Sequence, residues 1–127
     1  MDTPVISIVD DDDYMRVATE GLLRSLGYKT HSFDGADDFL NSGLAGSCAC
    51  VVSDIQMPGT DGLSMLAKMR AKGWTVPIIF ITAFPSPAIE ARAMKAGAIC
   101  FLSKPFDSDV LARCIETAVK GGDGHNH

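Results

Sequence analysis

The sequence has no hydrophobic run long enough to cross a membrane. Its apolar runs, such as VPIIFI at residues 76–81, fall far short of the roughly 18 consecutive apolar residues that indicate a transmembrane helix. The first residues, MDTPVIS, also lack the basic flank and the cleavage pattern of a secretory signal. We therefore expect a protein of the cytosol that neither spans nor binds a membrane.

Basic residues are scarce as well. The chain has 11 Lys and Arg against 16 Asp and Glu, which gives a formal net charge of -5 at pH 7. Proteins that bind the phosphate backbone of nucleic acids need clustered Lys and Arg. We therefore expect no direct binding of nucleic acid by this chain.

Cysteine occurs only four times, at positions 48, 50, 100 and 114. This spacing is not that of a structural zinc site, in which two to four residues separate the cysteines of a pair, whereas one residue separates Cys48 from Cys50. In the cytosol the four should be reduced thiols. We expect them to be buried, with Cys48 and Cys50 on one face of a strand.

What the sequence does contain is a regular alternation of short apolar runs and longer stretches of helical period. The runs predict strands at 5–9, 28–33, 48–53, 77–81 and 98–102, and the longer stretches predict helices at 14–26, 35–41, 62–72, 86–96 and 107–120. Such alternation indicates an α/β fold with a parallel sheet covered by helices on both faces. For five strands the common doubly wound order is 2-1-3-4-5, as in flavodoxin-like folds. We predict one such domain over residues 1–120 and a disordered tail at 121–127.

Polar residues follow the predicted strands at the carboxyl edge of this sheet. Asp10 and Asp11 follow the first strand, Asp54 the third, Thr82 the fourth and Lys104 the fifth. Because strands 1 and 3 are neighbours in the predicted order, three carboxylates should meet there, beside a hydroxyl and an ammonium group. Oxygen ligands of this kind favour a hard dication, and Mg²⁺ is the first choice because a few carboxylates leave positions for water.

A metal at this edge would relieve the repulsion between the carboxylates and could neutralise the charge of an incoming phosphoryl group. An aspartate beside that metal could act as a nucleophile and form an acyl phosphate. The four motifs IVDDD, VVSDIQMPGTDGL, PIIFITA and AGAICFLSKPF resemble those of the response-regulator receiver domains of bacterial two-component signalling. The resemblance covers residues 4–120.

The resemblance implies roles for the acidic residues. Asp54 would be the phosphoacceptor and would also contact the metal. Asp10 and Asp11 would form the acidic pair that organises Mg²⁺, and the backbone carbonyl of Gln56 would complete the protein ligands of the metal. The phosphoryl donor would be a histidine kinase or a histidine phosphotransfer protein.

The resemblance also implies a switch. Thr82 would bond a phosphoryl oxygen after transfer, Lys104 would form a salt bridge to the phosphoryl group, and the Lys104–Pro105 peptide bond would be cis. Phe101 would change rotamer as Thr82 moves inwards. The surface of helix 4, strand 5 and helix 5, at residues 87–119, would then change its contacts with a downstream target, an output domain or a second copy of the chain.

Two features need separate interpretation. Asp13 should favour the start of the first helix as a capping residue. Phe84, two residues beyond Thr82, stands where many receivers have a polar residue. We hypothesise that this apolar side chain limits the access of water to an acyl phosphate and slows its hydrolysis.

Three other functions share parts of the pattern. A phosphatase of the haloacid-dehalogenase type would use Asp10 as its nucleophile, but that family expects an Asp two residues later and then a small hydroxyl-bearing residue, whereas Tyr14 follows Asp13 here. A flavodoxin-like FMN carrier would need a phosphate-binding loop where this chain has four aspartates. A degenerate receiver, acting only as a binding module, would lack one of the matched residues. The sequence therefore favours a phosphoaccepting receiver, a signalling protein rather than a metabolic enzyme.

Overall fold

The computed structural model describes residues 3–124, with side chains described as far as Gly121. Five strands alternate with five helices, in the predicted order. The strands are β1 (Val5–Val9), β2 (Lys29–Phe33), β3 (Cys50–Asp54), β4 (Ile78–Thr82) and β5 (Cys100–Ser103). The helices are α1 (Asp13–Ser25), α2 (Ala36–Leu40), α3 (Gly62–Ala71), α4 (Pro87–Lys95) and α5 (Ser108–Gly124). Within the described residues, none of these helices has the length and apolar character needed to cross a bilayer.

The strands form one parallel sheet in the order β2-β1-β3-β4-β5, which confirms the predicted topology. The helices α1 to α4 each serve as a crossover between two strands, since parallel neighbours cannot be joined by a tight turn, and α5 follows the last strand. Leu23 of α1 and Ile115 of α5 are fully buried on one face of the sheet. Phe39 of α2, Leu66 of α3 and Ala93 of α4 are fully buried on the other. The fold is therefore doubly wound, with a hydrophobic core on each side.

Four strands begin later than predicted, and for β2 and β5 the reason is that the preceding helix ends in a hydrogen-bonded turn. After α1, Gly27 adopts a φ of 95°, and the N–H of Tyr28 donates to the carbonyl of Leu23 at 3.1 Å. The same arrangement follows α4, where Gly97 has a φ of 109° and the N–H of Ala98 donates to the carbonyl of Ala93 at 3.1 Å. These residues complete helix C-termini and so do not enter the sheet.

The first helix begins one residue earlier than predicted, and its cap is a different aspartate. The Asp12 carboxylate accepts a hydrogen bond from the N–H of Met15 at 3.2 Å. Asp13, predicted to be the cap, lies in the first turn and pairs with Arg16. Asp12 occupies the position from which a side-chain oxygen reaches the free N–H groups of the first turn.

The last helix is longer than predicted. It continues to Gly124 and so includes residues 121–124, which we had expected to be disordered. Each residue added to an existing helix gains one backbone hydrogen bond, so a helix can extend past the last residue of its apolar pattern. The remaining part of the predicted tail, residues 125–127, lies outside the described residues.

The cysteines are divided between the two faces of the sheet. Cys50 belongs to the core under α1 and α5, whereas Cys48 belongs to the core on the opposite face, so the prediction that they share a face is wrong. The reason is that β3 begins at Cys50, and strand alternation does not extend back to Cys48. All four thiols are free; Cys48 and Cys50 are buried as expected, but Cys100 and Cys114 are half-buried.

Candidate functional site

Three carboxylates meet at the carboxyl edge of the sheet, between β1 and β3. Val9 pairs with Ser53 in the parallel register, so Asp10 and Asp54 are the next residues along the two adjacent strands. Carboxylate oxygens of Asp10, Asp11 and Asp54 all lie within 4.8 Å of one another. Asp10 and Asp54 are buried and Asp11 is exposed, so the cluster opens to solvent on one side.

An ammonium group is held against the two buried carboxylates. Nζ of Lys104, from the loop after β5, lies 3.0 Å from Oδ2 of Asp54 and 3.2 Å from Oδ2 of Asp10. The Lys104 side chain is only 13% exposed. Charge-assisted hydrogen bonds in such a partly dehydrated place are stronger than those at the surface. The lysine thus offsets part of the repulsion between the carboxylates.

Burial and charge act in opposite directions on these groups. Burial raises the pKa of Asp54, and the hydrogen bond and positive charge of Lys104 oppose that rise without cancelling it. Burial alone would lower the pKa of Lys104, but its contacts with Asp54 and Asp10 outweigh this, so the pKa is raised. Lys104 is therefore a permanent cation near neutral pH, while ionised Asp54 carries a cost of desolvation.

The backbone after β3 completes the surroundings of Asp54. The N–H of Gln56 donates to Oδ1 of Asp54 at 3.1 Å, while Oδ2 of the same carboxylate accepts from Lys104. At Gly62, the first residue of α3, a Cβ atom would lie 2.5 Å from the carbonyl oxygen of Asp54. The N–H of Gly62 donates to the carbonyl of Ile55 at 2.8 Å. Only glycine leaves room for α3 to begin this close to the end of β3.

Thr82 ends β4 and is fully buried, with its hydroxyl engaged in two hydrogen bonds. The hydroxyl accepts from the N–H of Phe84 at 3.0 Å and donates to Oε1 of Gln56. The sequence analysis assigned a role to the backbone of Gln56 and none to its side chain. This contact depends on the rotamer of a long side chain, and the sequence carries no signal for it.

Phe101 lies at the middle of β5, next to Phe80 of β4 in the parallel register. It is half-buried and packs against the core on the α2, α3 and α4 face, to which Phe80 also belongs. The structure therefore places Phe101 on the face covered by α4, below the edge that carries the acidic cluster. The Lys104–Pro105 peptide bond is cis, as expected.

Arg16 is a part of the site that the sequence analysis missed. Its Nη1 donates to the backbone carbonyl of Asp10 at 2.8 Å, and its Nη2 pairs with Asp13. The hydrogen bond that Arg16 donates to Asp13 raises the pKa of Arg16. The guanidinium thus ties the first turn of α1 to the end of β1. The only sequence signal is a cation one turn after an acidic loop, and many surface ion pairs share that pattern.

The donor set fits a hard dication. Three carboxylates supply oxygen atoms within the reach of one ion, and the exposed side of the cluster leaves room for water or for an oxygen of a ligand. A dication would add positive charge where Lys104 alone faces two buried carboxylates. The side of the cluster that faces solvent is the side of Asp11, whose side chain is exposed.

Comparison with known proteins agrees with this geometry. The chain is 41% identical over 115 residues to the transcriptional regulatory protein FixJ of Bradyrhizobium diazoefficiens, covering 91% of this chain and 56% of that protein. It is 40% identical over 116 residues to the response regulator protein TmoT of Ectopseudomonas mendocina, covering 91% and 53%. The chain therefore spans about half the length of these two relatives.

A solved structure and a family model give the same result. The structure of full-length FixJ from B. japonicum superposes with a TM-score of 0.89 and 37% identity, covering 99% of this chain and 62% of that one. The model of the family described as response regulator receiver domain matches residues 6–116. This match includes all the residues of the acidic edge and every strand except the first residue of β1. The chain belongs to the family of response regulator receiver domains.

Proposed function

We propose that Asp54 is the residue on which this receiver accepts its phosphoryl group. The observation that carries the proposal is the position of its carboxylate: buried between Asp10 and Lys104, and open to solvent on the side of Asp11. Lys104 and the N–H of Gln56 hold the two oxygens of Asp54 in fixed directions. An aspartate oriented in this way is a nucleophile that needs no rearrangement before it meets a donor.

The metal in this proposal is Mg²⁺, held by carboxylate oxygens of Asp10, Asp11 and Asp54 and by the backbone carbonyl of Gln56. When bound, the ion neutralises negative charge on the phosphoryl oxygens during transfer. The chemistry of the three carboxylates supports this set, since oxygen ligands with an open side suit Mg²⁺.

The transfer requires that Asp54 be ionised when the donor arrives. An oxygen of Asp54 bonds to phosphorus, the phosphorus–nitrogen bond of a phosphohistidine breaks, and the imidazole nitrogen keeps that electron pair. Lys104 supplies a fixed positive charge to the phosphoryl oxygens in the product. The same site would supply the surroundings in which water later hydrolyses the acyl phosphate. These steps modify the chain itself, and we assign it no metabolic substrate.

Phosphorylation would change the chain beyond the site. The phosphoryl group carries about -1.5 to -2 charges in place of the single charge of the ionised carboxylate, and it adds several acceptor oxygens beside the Thr82 hydroxyl. We infer that Thr82 then donates to a phosphoryl oxygen and that Phe101 repacks in the space this movement opens. Phe101 lies on β5 under α4, which connects the site to the surface formed by α4, β5 and α5. A target protein, an output domain or a second copy of the chain would recognise that surface.

The donor in this proposal is a histidine kinase or a histidine phosphotransfer protein, and the compartment is the cytoplasm. Four free cysteines support a reducing compartment. The two relatives are about twice as long as the segment that aligns with this chain, and FixJ is named a transcriptional regulatory protein. We infer an output of that kind for the protein in which this receiver works, acting through a partner or a further domain and not through nucleic-acid binding by the receiver.

The experiment is phosphopeptide mapping after incubation with acetyl phosphate and Mg²⁺. Label on Asp54 is the expected result. Label on Asp10 would instead support a phosphatase of the haloacid-dehalogenase type, and a chain without label would be a binding module that no longer accepts phosphate. A parallel sample with EDTA in place of Mg²⁺ should lose the label, because three uncompensated carboxylates repel an anionic donor.

A further inference from the structure

We propose that the side chain of Gln56 is a latch that holds Thr82 in its unphosphorylated position. This inference rests on the proposed function, in which the Thr82 hydroxyl donates to a phosphoryl oxygen on Asp54. In the structure that hydroxyl already donates to Oε1 of Gln56. Thr82 is fully buried, whereas Gln56 is exposed, so the residue that holds the Thr82 hydroxyl lies on the solvent side of the site.

The argument depends on the number of protons that a hydroxyl carries. A threonine hydroxyl has one O–H donor and can accept further hydrogen bonds. The accepting side is already used by the N–H of Phe84 at 3.0 Å, and the single proton is used by Gln56. Thr82 therefore cannot donate to Gln56 and to a phosphoryl oxygen at the same time. The two hydrogen bonds are alternatives, and formation of one requires loss of the other.

The backbone and side chain of Gln56 act on different partners. The N–H of Gln56 holds Oδ1 of Asp54 at 3.1 Å, while its amide oxygen holds the hydroxyl of Thr82. One residue thus connects the phosphoacceptor with the switch residue before transfer. The hydrogen bond to Oε1 of Gln56 forms only when Thr82 is in its unphosphorylated position. It therefore stabilises the unphosphorylated state of the site relative to the phosphorylated state. Gln56 acts here as a positioning residue for Thr82.

The size of the effect follows from the exchange of one hydrogen bond. A neutral hydrogen bond makes a small net contribution to the free energy of a folded state, because hydrogen bonds to water replace it when it is lost. This net free energy corresponds to about a fivefold change in an equilibrium constant. Removal of the amide oxygen should therefore let a phosphoryl mimic bind about fivefold more tightly. Gln56→Met removes that oxygen and keeps the backbone and the length of the side chain.

The test measures the binding of beryllium trifluoride, a non-covalent phosphoryl mimic, at saturating Mg²⁺ by calorimetry. Gln56→Met should bind about fivefold more tightly than wild type. The gain should persist when Thr82 is replaced by Ser, which keeps the hydroxyl, and disappear in a Thr82→Val background, which has none. This double-mutant cycle separates the latch from a general effect on the loop, which would be the same in all three backgrounds.

Equal affinity of wild type and Gln56→Met would overturn the latch, and so would an equal gain in the Thr82→Val background. Both outcomes would leave the proposed function intact, since the mimic would still bind at Asp54. Failure of wild type and every variant to bind the mimic, with no label on Asp54 in the mapping experiment, would overturn the proposed function and the latch together.

Discussion

Nζ of Lys104 lies 3.0 Å from Oδ2 of Asp54, although Asp54 ends β3, Lys104 follows β5, and β4 lies between these two strands in the sheet. Lys104 reaches over the end of β4 from the loop that follows β5, and its backbone N–H donates to the carbonyl of Thr82 at 2.8 Å. The ion pair therefore joins three neighbouring strands at one edge. A cation thus already lies against the buried carboxylate of Asp54.

The first prediction concerns stability and pH. Burial raises the pKa of Asp54 above its unfolded value, so the folded state binds more protons than the unfolded chain between those two pKa values. Stability then falls as pH rises through that window, and ionised Asp54 destabilises the fold at neutral pH. Asp54→Asn, which keeps an acceptor oxygen for Lys104, should be more stable than wild type at pH 7 in EDTA.

This difference should shrink as the pH falls below the ordinary pKa of aspartate, where wild-type Asp54 is protonated as well. Urea unfolding at both pH values measures it. Glu90→Gln, on the exposed surface of α4, removes the same charge from the first turn of that helix, so it should not raise stability at pH 7 and should lower it by at most about 1 kcal/mol. A less stable Asp54→Asn protein at pH 7 would show that Lys104 outweighs burial.

The second prediction concerns Mg²⁺. Binding to the folded state alone stabilises it by about 2.7 kcal/mol when the free metal is about 100 times its Kd. Asp11 belongs to the acidic cluster but is exposed, so Asp11→Asn should fold normally and need far more Mg²⁺ for the same gain. Thermal unfolding over a Mg²⁺ titration measures this, with Glu90→Gln as the charge-matched control. The same Mg²⁺ response in Asp11→Asn and wild type would remove Asp11 from the metal site.

The third prediction compares two glycines. At Gly62 a Cβ atom would lie 2.5 Å from the backbone oxygen of Asp54. A Cβ atom at Gly21, inside α1, would have no described group within 4 Å other than the nearby backbone of its own helix. Gly62→Ala should lose about 1–3 kcal/mol of stability, as overpacked sites do. Gly21→Ala should gain up to about 1 kcal/mol, because alanine favours a helix interior. Chemical denaturation measures both, and equal effects would mean that α3 can move away from β3 without cost.

The fourth prediction concerns the lifetime of the phosphorylated chain. The side chain of Phe84 is 74% exposed, and its backbone N–H donates to the Thr82 hydroxyl. We expect Phe84→Glu to lose its phosphoryl group faster than wild type, because a polar side chain at this position admits and orients water. Phe84→Leu, which remains apolar, should decay like wild type. Decay of the label after removal of the donor measures the rates, and equal rates in wild type and Phe84→Glu would contradict the hypothesis.

The sequence predicts the sheet and the acidic edge because both depend on short-range patterns. Every strand except β2 is an apolar run that a polar residue ends, and parallel order brings Asp10, Asp54 and Thr82 to one edge. Element boundaries were less predictable. Tyrosine is a residue type typical of strands, yet the N–H of Tyr28 donates to the carbonyl of Leu23 and so completes the end of α1. Cys48 seemed to continue the alternation of β3, which in fact begins two residues later.

The contacts of long side chains could not be predicted at all. Arg16 reaches back to the carbonyl of Asp10, and Gln56 reaches across to Thr82. Gln56 and Thr82 are close only after the sheet has formed, whereas Arg16 and Asp10 are near one another in the chain. Both contacts depend on rotamers that local sequence does not determine. The residue types at the site follow from the chemistry of the strand ends, whereas the hydrogen bonds that orient them follow from the tertiary fold.

The central claim is that the carboxylate at position 54 becomes the acyl phosphate. Intact-mass spectrometry of wild type, Asp54→Asn and Asp109→Asn after incubation with acetyl phosphate and Mg²⁺ tests it most directly. Asp109 lies exposed on α5, far along the chain from the acidic cluster, and serves as the matched aspartate control. The account predicts a gain of about 80 Da, the mass of one phosphoryl group, in wild type and Asp109→Asn and none in Asp54→Asn. An Asp54→Asn protein that gains this mass as readily as wild type would contradict it.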